Sequence, residues 1–191
     1  INLSFFADKN DILIKNIFGF FDEIKISDGD IKLNLENGIK LKSNFNSKLD
    51  FNELVTEKYT KLFKKFDVVK NLKTLKADLN NNFSIHLDNT YKVKDYNYSV
   101  IGKLEKSKFE LLSPIKNSFV TEEITNIYFS DFKMKTIFFF FYITISGEGK
   151  YSFDNSNFLN VNLENSVNND NLNLKLDFDY KKKIDLDLIN Y

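Results

Sequence analysis

The stretch LKADLNNNFSIHLD, residues 75 to 88, constrains the fold more than any other part of this chain. Leu75, Ala77, Leu79, Phe83, Ile85 and Leu87 fall on odd numbers, while Lys76, Asp78, Asn80, Asn82, Ser84, His86 and Asp88 fall on even ones. Side chains of a strand point alternately to two faces, so this ribbon has one oily side and one wet side. It is either one strand, which at 14 residues would run roughly 45 Å, or a hairpin with Asn80-Asn81-Asn82 at its tip. Both keep the parity, and the long strand is preferred. The question is what covers the oily side.

Turn chemistry organises the residues before it. Asp28-Gly29 is a favoured two-residue hairpin pair, and a turn there sets Ile26 opposite Ile31 and Ile24 opposite Leu33. ENG at 36 to 38 requires a three-residue loop with Gly38 in the left-handed region, pairing Leu35 with Ile39 and Leu33 with Leu41; a shorter loop would flip the next strand's apolar set. The oily face continues through Phe45, Leu49 and Phe51.

One helix is expected, over 50–66. Leu54, Val55, Tyr59, Leu62, Phe63 and Phe66 form a stripe at helical spacing, Asp50 and Glu53 suit a capping box, and Glu57 stands four before Lys61. Strands then return. The apolar set shifts to even numbers at Tyr96, Tyr98 and Val100, which implies a bulge or crossing near Asp95. Pro114 opens a loop to about Thr125, IFFFFYITI at 137–145 reads as one strand, and Gly147 and Gly149 mark a bend. Leu159, Val161 and Leu163 alternate with Asn160, Asn162 and Glu164. NNDN at 168–171 is a polar connector. Leu172, Leu174, Leu176, Phe178 and Tyr180 lead through Lys181–Lys183 to Ile184, Leu186 and Leu188. The whole is one mainly β, antiparallel domain over 1–191 with a helix inserted.

Composition excludes several functions. Lys plus Arg and Asp plus Glu both number 27, so no strong field draws the chain to nucleic acid. No apolar run reaches the roughly 18 residues of a membrane helix. There is no cysteine, hence no disulfide or thiolate metal site. The lone histidine, His86, lies on the wet face and reads as a solvated strand residue. Acid pairs at Asp28/Asp30 and Asp185/Asp187 read as charges on a strand's wet face that keep it soluble, and GEG at 147–149 lacks the spacing of a phosphate loop. A non-enzymatic protein without cofactor or metal is expected. The chain opens at Ile1 without Met or a basic-apolar leader, which suggests a piece of a longer protein.

Phenylalanine is abundant, 21 in all, with Phe5, Phe6, Phe18, Phe20 and Phe21 near the start and Phe138–Phe141 later. Two face-to-face sheets would hide such residues in a sandwich. A single sheet bent into a trough could instead cover its oily face with lipid chains. An outer-membrane barrel also alternates, but it has no place for a soluble amphipathic helix.

Two segments carry a resemblance. EIKISDGDIKLNLENGIKLKSNFNSKLDFNEL, with its strands, Asp-Gly and Asn-Gly turns and closing helix, resembles the AsmA-like envelope proteins of the TamB and YhdP type. LDNTYKVKDYNYSVIGKLEKSKFELL, an acidic turn followed by Tyr-rich alternation, is similar to them too. The resemblance implies a long curved antiparallel sheet forming an open groove, a β-taco. It further implies phospholipid transport between inner and outer membranes across the Gram-negative periplasm, with anchoring to the inner membrane by a segment outside these residues. The family has no catalytic residues to carry over. The expected partners are phospholipid acyl chains and, through other regions, both membranes. The expected groove lining is Ile31, Leu33, Leu35, Ile39, Leu41, Leu75 and Leu79, continued by Phe83, Ile85, Leu87, Leu174, Leu176 and Phe178.

Overall fold

The computed structural model describes residues 1–62, 71–117, 120–139, 142–168 and 171–181. Ten strands appear: β1 (Asn2–Ala7), β2 (Asp11–Phe21), β3 (Ile24–Asn34), β4 (Ile39–Phe51), β5 (Leu72–Leu87), β6 (Val93–Asn117), β7 (Val120–Phe139), β8 (Tyr142–Ser152), β9 (Leu159–Asn168) and β10 (Asn171–Phe178). One helix, α1 (Glu53–Leu62), stands between β4 and β5. Each strand pairs antiparallel with the next in chain order, giving one sheet with β1 and β10 as its edges. The sheet does not close into a barrel, and among the described residues no second sheet faces it. The mainly β, open antiparallel fold is therefore as the sequence implies.

The residues from Leu75 to Leu87 belong to one unbroken strand, β5, with Asn80, Asn81 and Asn82 in its middle. The loop at 36–38 also has its expected register, with Leu33 opposite Leu41 and Gly38 at φ 86°. The parity change near Asp95 is a bulge: His86 pairs with Asp95 but Leu87 with Val93, leaving Lys94 as the extra residue.

Other expectations need correction. Asp28-Gly29 is not a hairpin turn but a bulge inside β3, with Asp28 at φ 52° and the β3–β4 register slipping between Ser27 and Asp30. The hairpin into β3 turns instead at Asp22-Glu23, enclosed by the Phe21–Ile24 pair. Pro114 opens no loop; it lies within β6 where the register with β7 is interrupted, and Ile115 pairs with Ile124. A proline is tolerated there because the irregular stretch requires no ladder donor from it.

The run 137–145 is not one strand: Phe138 pairs with Ile143 and Phe139 with Tyr142, so it folds back on itself between β7 and β8. Gly147 and Gly149 do not bend the chain but sit inside β8, where the ring of Phe132 lies over the first and its backbone over the second. A Cβ at Gly147 would stand 2.3 Å from Phe132 Cε1, and one at Gly149 would stand 2.4 Å from Phe132 Cα. The helix starts later than expected, and its cap is Asn52 rather than Asp50. Asn52 Oδ1 accepts from Val55 N at 3.0 Å, whereas Asp50 pairs with Lys76 in the β4–β5 ladder. Phe63 and Phe66 of the expected stripe, and 182–191 with Ile184, Asp185, Leu186, Asp187 and Leu188, lie outside the described residues.

Candidate functional site: the apolar face

Residues paired across a sheet share a face, so the registers can be followed from edge to edge. Starting at Phe5, the pairs run through Ile14, Ile31, Ser43, Phe83, Tyr98, Phe138, Ile143 and Val167 to Leu172. Every strand contributes one side chain, and only Ser43 breaks the apolar row. One turn of pleat away, Ala7, Ile12, Leu33, Leu41, Ile85 and Tyr96 form a second row. On the other side, Ile26, Ser47, Leu79, Gly102, Met134, Gly147, Leu163 and Leu176 form another.

These rows collect part of the expected lining. Ile31, Leu33, Leu41, Leu79, Phe83, Ile85 and Leu176 lie in the rows just traced. Ile39 pairs with Leu87 beyond them, Leu75 pairs with Phe51, Leu174 with Asn165 and Phe178 with Val161. Leu35 lies in the β3–β4 turn, its amide donating to Asn10 O at 2.7 Å. The expected lining lacks Phe138 and Ile143, because reading 137–145 as one strand hides the fold-back that brings them side by side; it also lacks Tyr98 and Val167, which the registers place in the same row.

The two faces differ in shelter although, among the described residues, no second sheet covers either. Val100 on the apolar face is 8% exposed, while its neighbour Ile101, of similar bulk but pointing the other way, is 48% exposed. The sheet therefore curves with its apolar face inward, so that side chains on that face cover one another. Phe83 meets Tyr98 edge-on at 6.3 Å between ring centroids, and Tyr98 stacks on Phe138 at 5.9 Å. Towards the edges shelter fails: Phe5, Leu172, Leu174, Leu176 and Phe178 are exposed. Part of the β7–β9 region is filled from within, where Phe132, Tyr151 and Val161 form a small buried cluster.

Polar groups interrupt this face, with Ser47, Asn81, Ser107 and Thr136 buried on it. Asn81 is buried, donating to Ser47 Oγ at 2.9 Å and accepting from Tyr98 OH at 2.9 Å. Burial holds the Tyr98 phenol above its ordinary pKa, so it stays a neutral donor. Among the described residues, Ser107 Oγ and Asn165 Oδ1 find no hydrogen-bond partner.

The opposite face is wet. Asn44 donates to Asn82 Oδ1 at 2.6 Å, Asn80 to Asn46 Oδ1 at 2.8 Å and Asn82 to Asn80 Oδ1 at 2.8 Å, an amide network that knits β4 to β5. His86 is on this side, with Nδ1 3.8 Å from Asp95 Oδ2, as a strand residue on the polar face. Asp28 and Asp30 serve the bulge: Asp28 accepts from Asn46 Nδ2 at 2.9 Å and Asp30 from the Asn16 amide at 3.2 Å. Asp185 and Asp187 are outside the described residues. The sheet's broader depressions are open, such as one of about 470 Å³ bordered by Leu13, Lys32, Lys42, Phe83, Ser84 and Asn97.

Among the described residues no group of three or more His, Cys, Asp or Glu side chains could hold a metal ion. No described helix is long and apolar enough to cross a membrane. Comparison with family models, with curated proteins and with solved structures finds no match.

Proposed function

We propose that this chain is a lipid-conducting segment of a hydrophobic β-groove that carries phospholipids between the two membranes of a Gram-negative envelope. The single observation that carries this reading is the apolar row from Phe5 to Leu172, which crosses all ten strands with no protein layer above it among the described residues. Acyl chains would lie along such rows, across the strands, while headgroups stay in water at the rim. Each methylene so covered contributes about 0.8 kcal/mol, and neighbouring rows offer similar surroundings, so a chain slides with little change in energy. The mechanism is passive and needs no reactive residue. Its setting is the periplasm, with anchoring supplied by regions outside these residues.

The buried cluster of Phe132, Tyr151 and Val161 favours a second reading at the β7–β9 end, a ligand-free structural sheet that fills its own concavity. Native mass spectrometry of the chain purified from a Gram-negative host separates the two. The lipid-carrying reading expects phospholipid masses retained at low collision energy and lost when Phe83 is changed to Asp. A wild-type protein that is always bare, even after incubation with phospholipid vesicles, sinks it.

A further inference from the structure

Helix α1 lies along a rim of the sheet. Glu53 in its first turn receives Lys108 of β6, Nζ to Oε1 at 3.4 Å. Further along, Lys58 and Tyr59 both donate to Asp22 in the β2–β3 turn, the phenol at 3.1 Å. Tyr59 also stacks on Phe51, with ring centroids 4.8 Å apart and planes 6° from parallel. A ten-residue helix is ~15 Å long, so α1 bridges strands that are not neighbours and straps the rim between β2 and β6.

The strap is held by groups that release easily. Exposed ion pairs contribute little and are screened by salt. Thr56 of the helix is hidden, at 2% exposed, yet its amide and hydroxyl both bond to Asn52 O at the helix's own start. Lifting α1 would therefore leave no polar group of Thr56 unpartnered. It would uncover Phe51, which is buried and continues through Leu75 and Ser107 to Phe129 and Tyr151 on the apolar face.

We propose that α1 is a lateral gate, latched to Asp22 by Lys58 and Tyr59, through which an acyl chain reaches the apolar face at Phe51. The proposal rests on the lipid-carrying reading and adds where the chain gets in. The test measures uptake of a polyene fatty acid, whose fluorescence rises in apolar surroundings, together with hydrogen exchange, on the full chain. Asp22→Lys should speed exchange of the α1 amides, leave β5 amides such as Phe83 protected, and raise the uptake rate several-fold with the saturating amount unchanged. D22K/K58D should return both rates toward wild type. If D22K also strips protection from β5, Lys58→Gln is compared at low and high salt with the same readings. Faster helix exchange with an unchanged uptake rate overturns the gate alone. No uptake by the wild-type chain at any concentration removes the lipid-carrying reading beneath it, and the gate with it.

Discussion

Tyr98 on β6 donates its phenolic hydrogen to Asn81 Oδ1 on β5 at 2.9 Å, diagonally across one pleat of the apolar face. The carboxamide is 3% exposed, and its nitrogen is occupied by Ser47 Oγ and Phe45 O. A polar group so enclosed is costly to leave unpartnered, and a slip of the β5–β6 register by one residue would do that. We expect Tyr98→Phe to destabilise the fold by about 1–2 kcal/mol. Asn81→Leu should cost a similar amount, while the double variant should cost less than the two together, because it removes donor and acceptor at once. Urea denaturation of the four proteins gives the cycle, and strict additivity would show that the pair does not interact.

Phe132 depends on two glycines in a different way. Above Gly147 lies the far end of its ring, whereas above Gly149 lie its own Cα and the Asp131 carbonyl, the latter 2.9 Å from where a Cβ would stand. Gly147→Ala and Gly149→Ala should each destabilise by about 1–3 kcal/mol, the usual cost of overpacking. Adding Phe132→Leu should recover part of the loss at Gly147, where a side chain can give way, and none at Gly149, where backbone is in the way. Thermal unfolding midpoints measure both, and equal rescue at the two positions would refute this account.

Asp154 sets a pH dependence in the β8–β9 loop. Its carboxylate accepts from the Asn157 and Ser156 amides, both at 2.9 Å, from Asn157 Nδ2 at 2.9 Å and from Ser152 Oγ at 2.7 Å. These donors, the Asn157 amide foremost, hold its pKa far below the carboxylate range. Since the folded value lies below the unfolded one, the unfolded chain binds the extra proton, and the loop's contribution is complete above about pH 4 and fades as pH falls further. Asp154→Asn should flatten that part of the stability curve between about pH 4 and pH 2 while leaving its shape near neutrality. Denaturation midpoints across the acid range, wild type against variant, read this directly.

How far the sequence could be read follows from what parity reports. Alternation from Leu75 to Leu87 gave the longest stretch of apolar face, and the Leu33–Leu41 pairing followed from loop length, because one wrong residue would have inverted a strand. Asp28-Gly29 misled for a definite reason: a two-residue turn and a one-residue bulge shift parity by the same amount. Both put Ile26 and Ile31 on one face, so the face was right while the topology was wrong. IFFFFYITI misled because a fold-back between two apolar strand ends has no polar signal at the turn. Gly147 and Gly149 read as a bend because what they accommodate, the ring and the backbone of Phe132, comes from another strand and is not visible locally.

The lipid-carrying reading makes its sharpest demand where the two faces can be compared on one strand. Ile85 faces inward, paired with Leu41 and Tyr96, whereas Asn82 faces outward, paired with Asn44 and Ser99. A carboxylate at Ile85 places charge where an acyl chain would lie, and an unpaired charge in an apolar setting is expensive. One at Asn82 meets water. Ile85→Asp and Leu33→Asp should therefore abolish phospholipid retention and block transport, while Asn82→Asp changes neither. Circular dichroism and hydrogen exchange on each variant establish that the sheet persists, which separates lost binding from lost fold. Folded Ile85→Asp and Leu33→Asp proteins that still retain lipid, and still support envelope lipid balance in cells, would mean that the apolar rows are not the path the lipid takes.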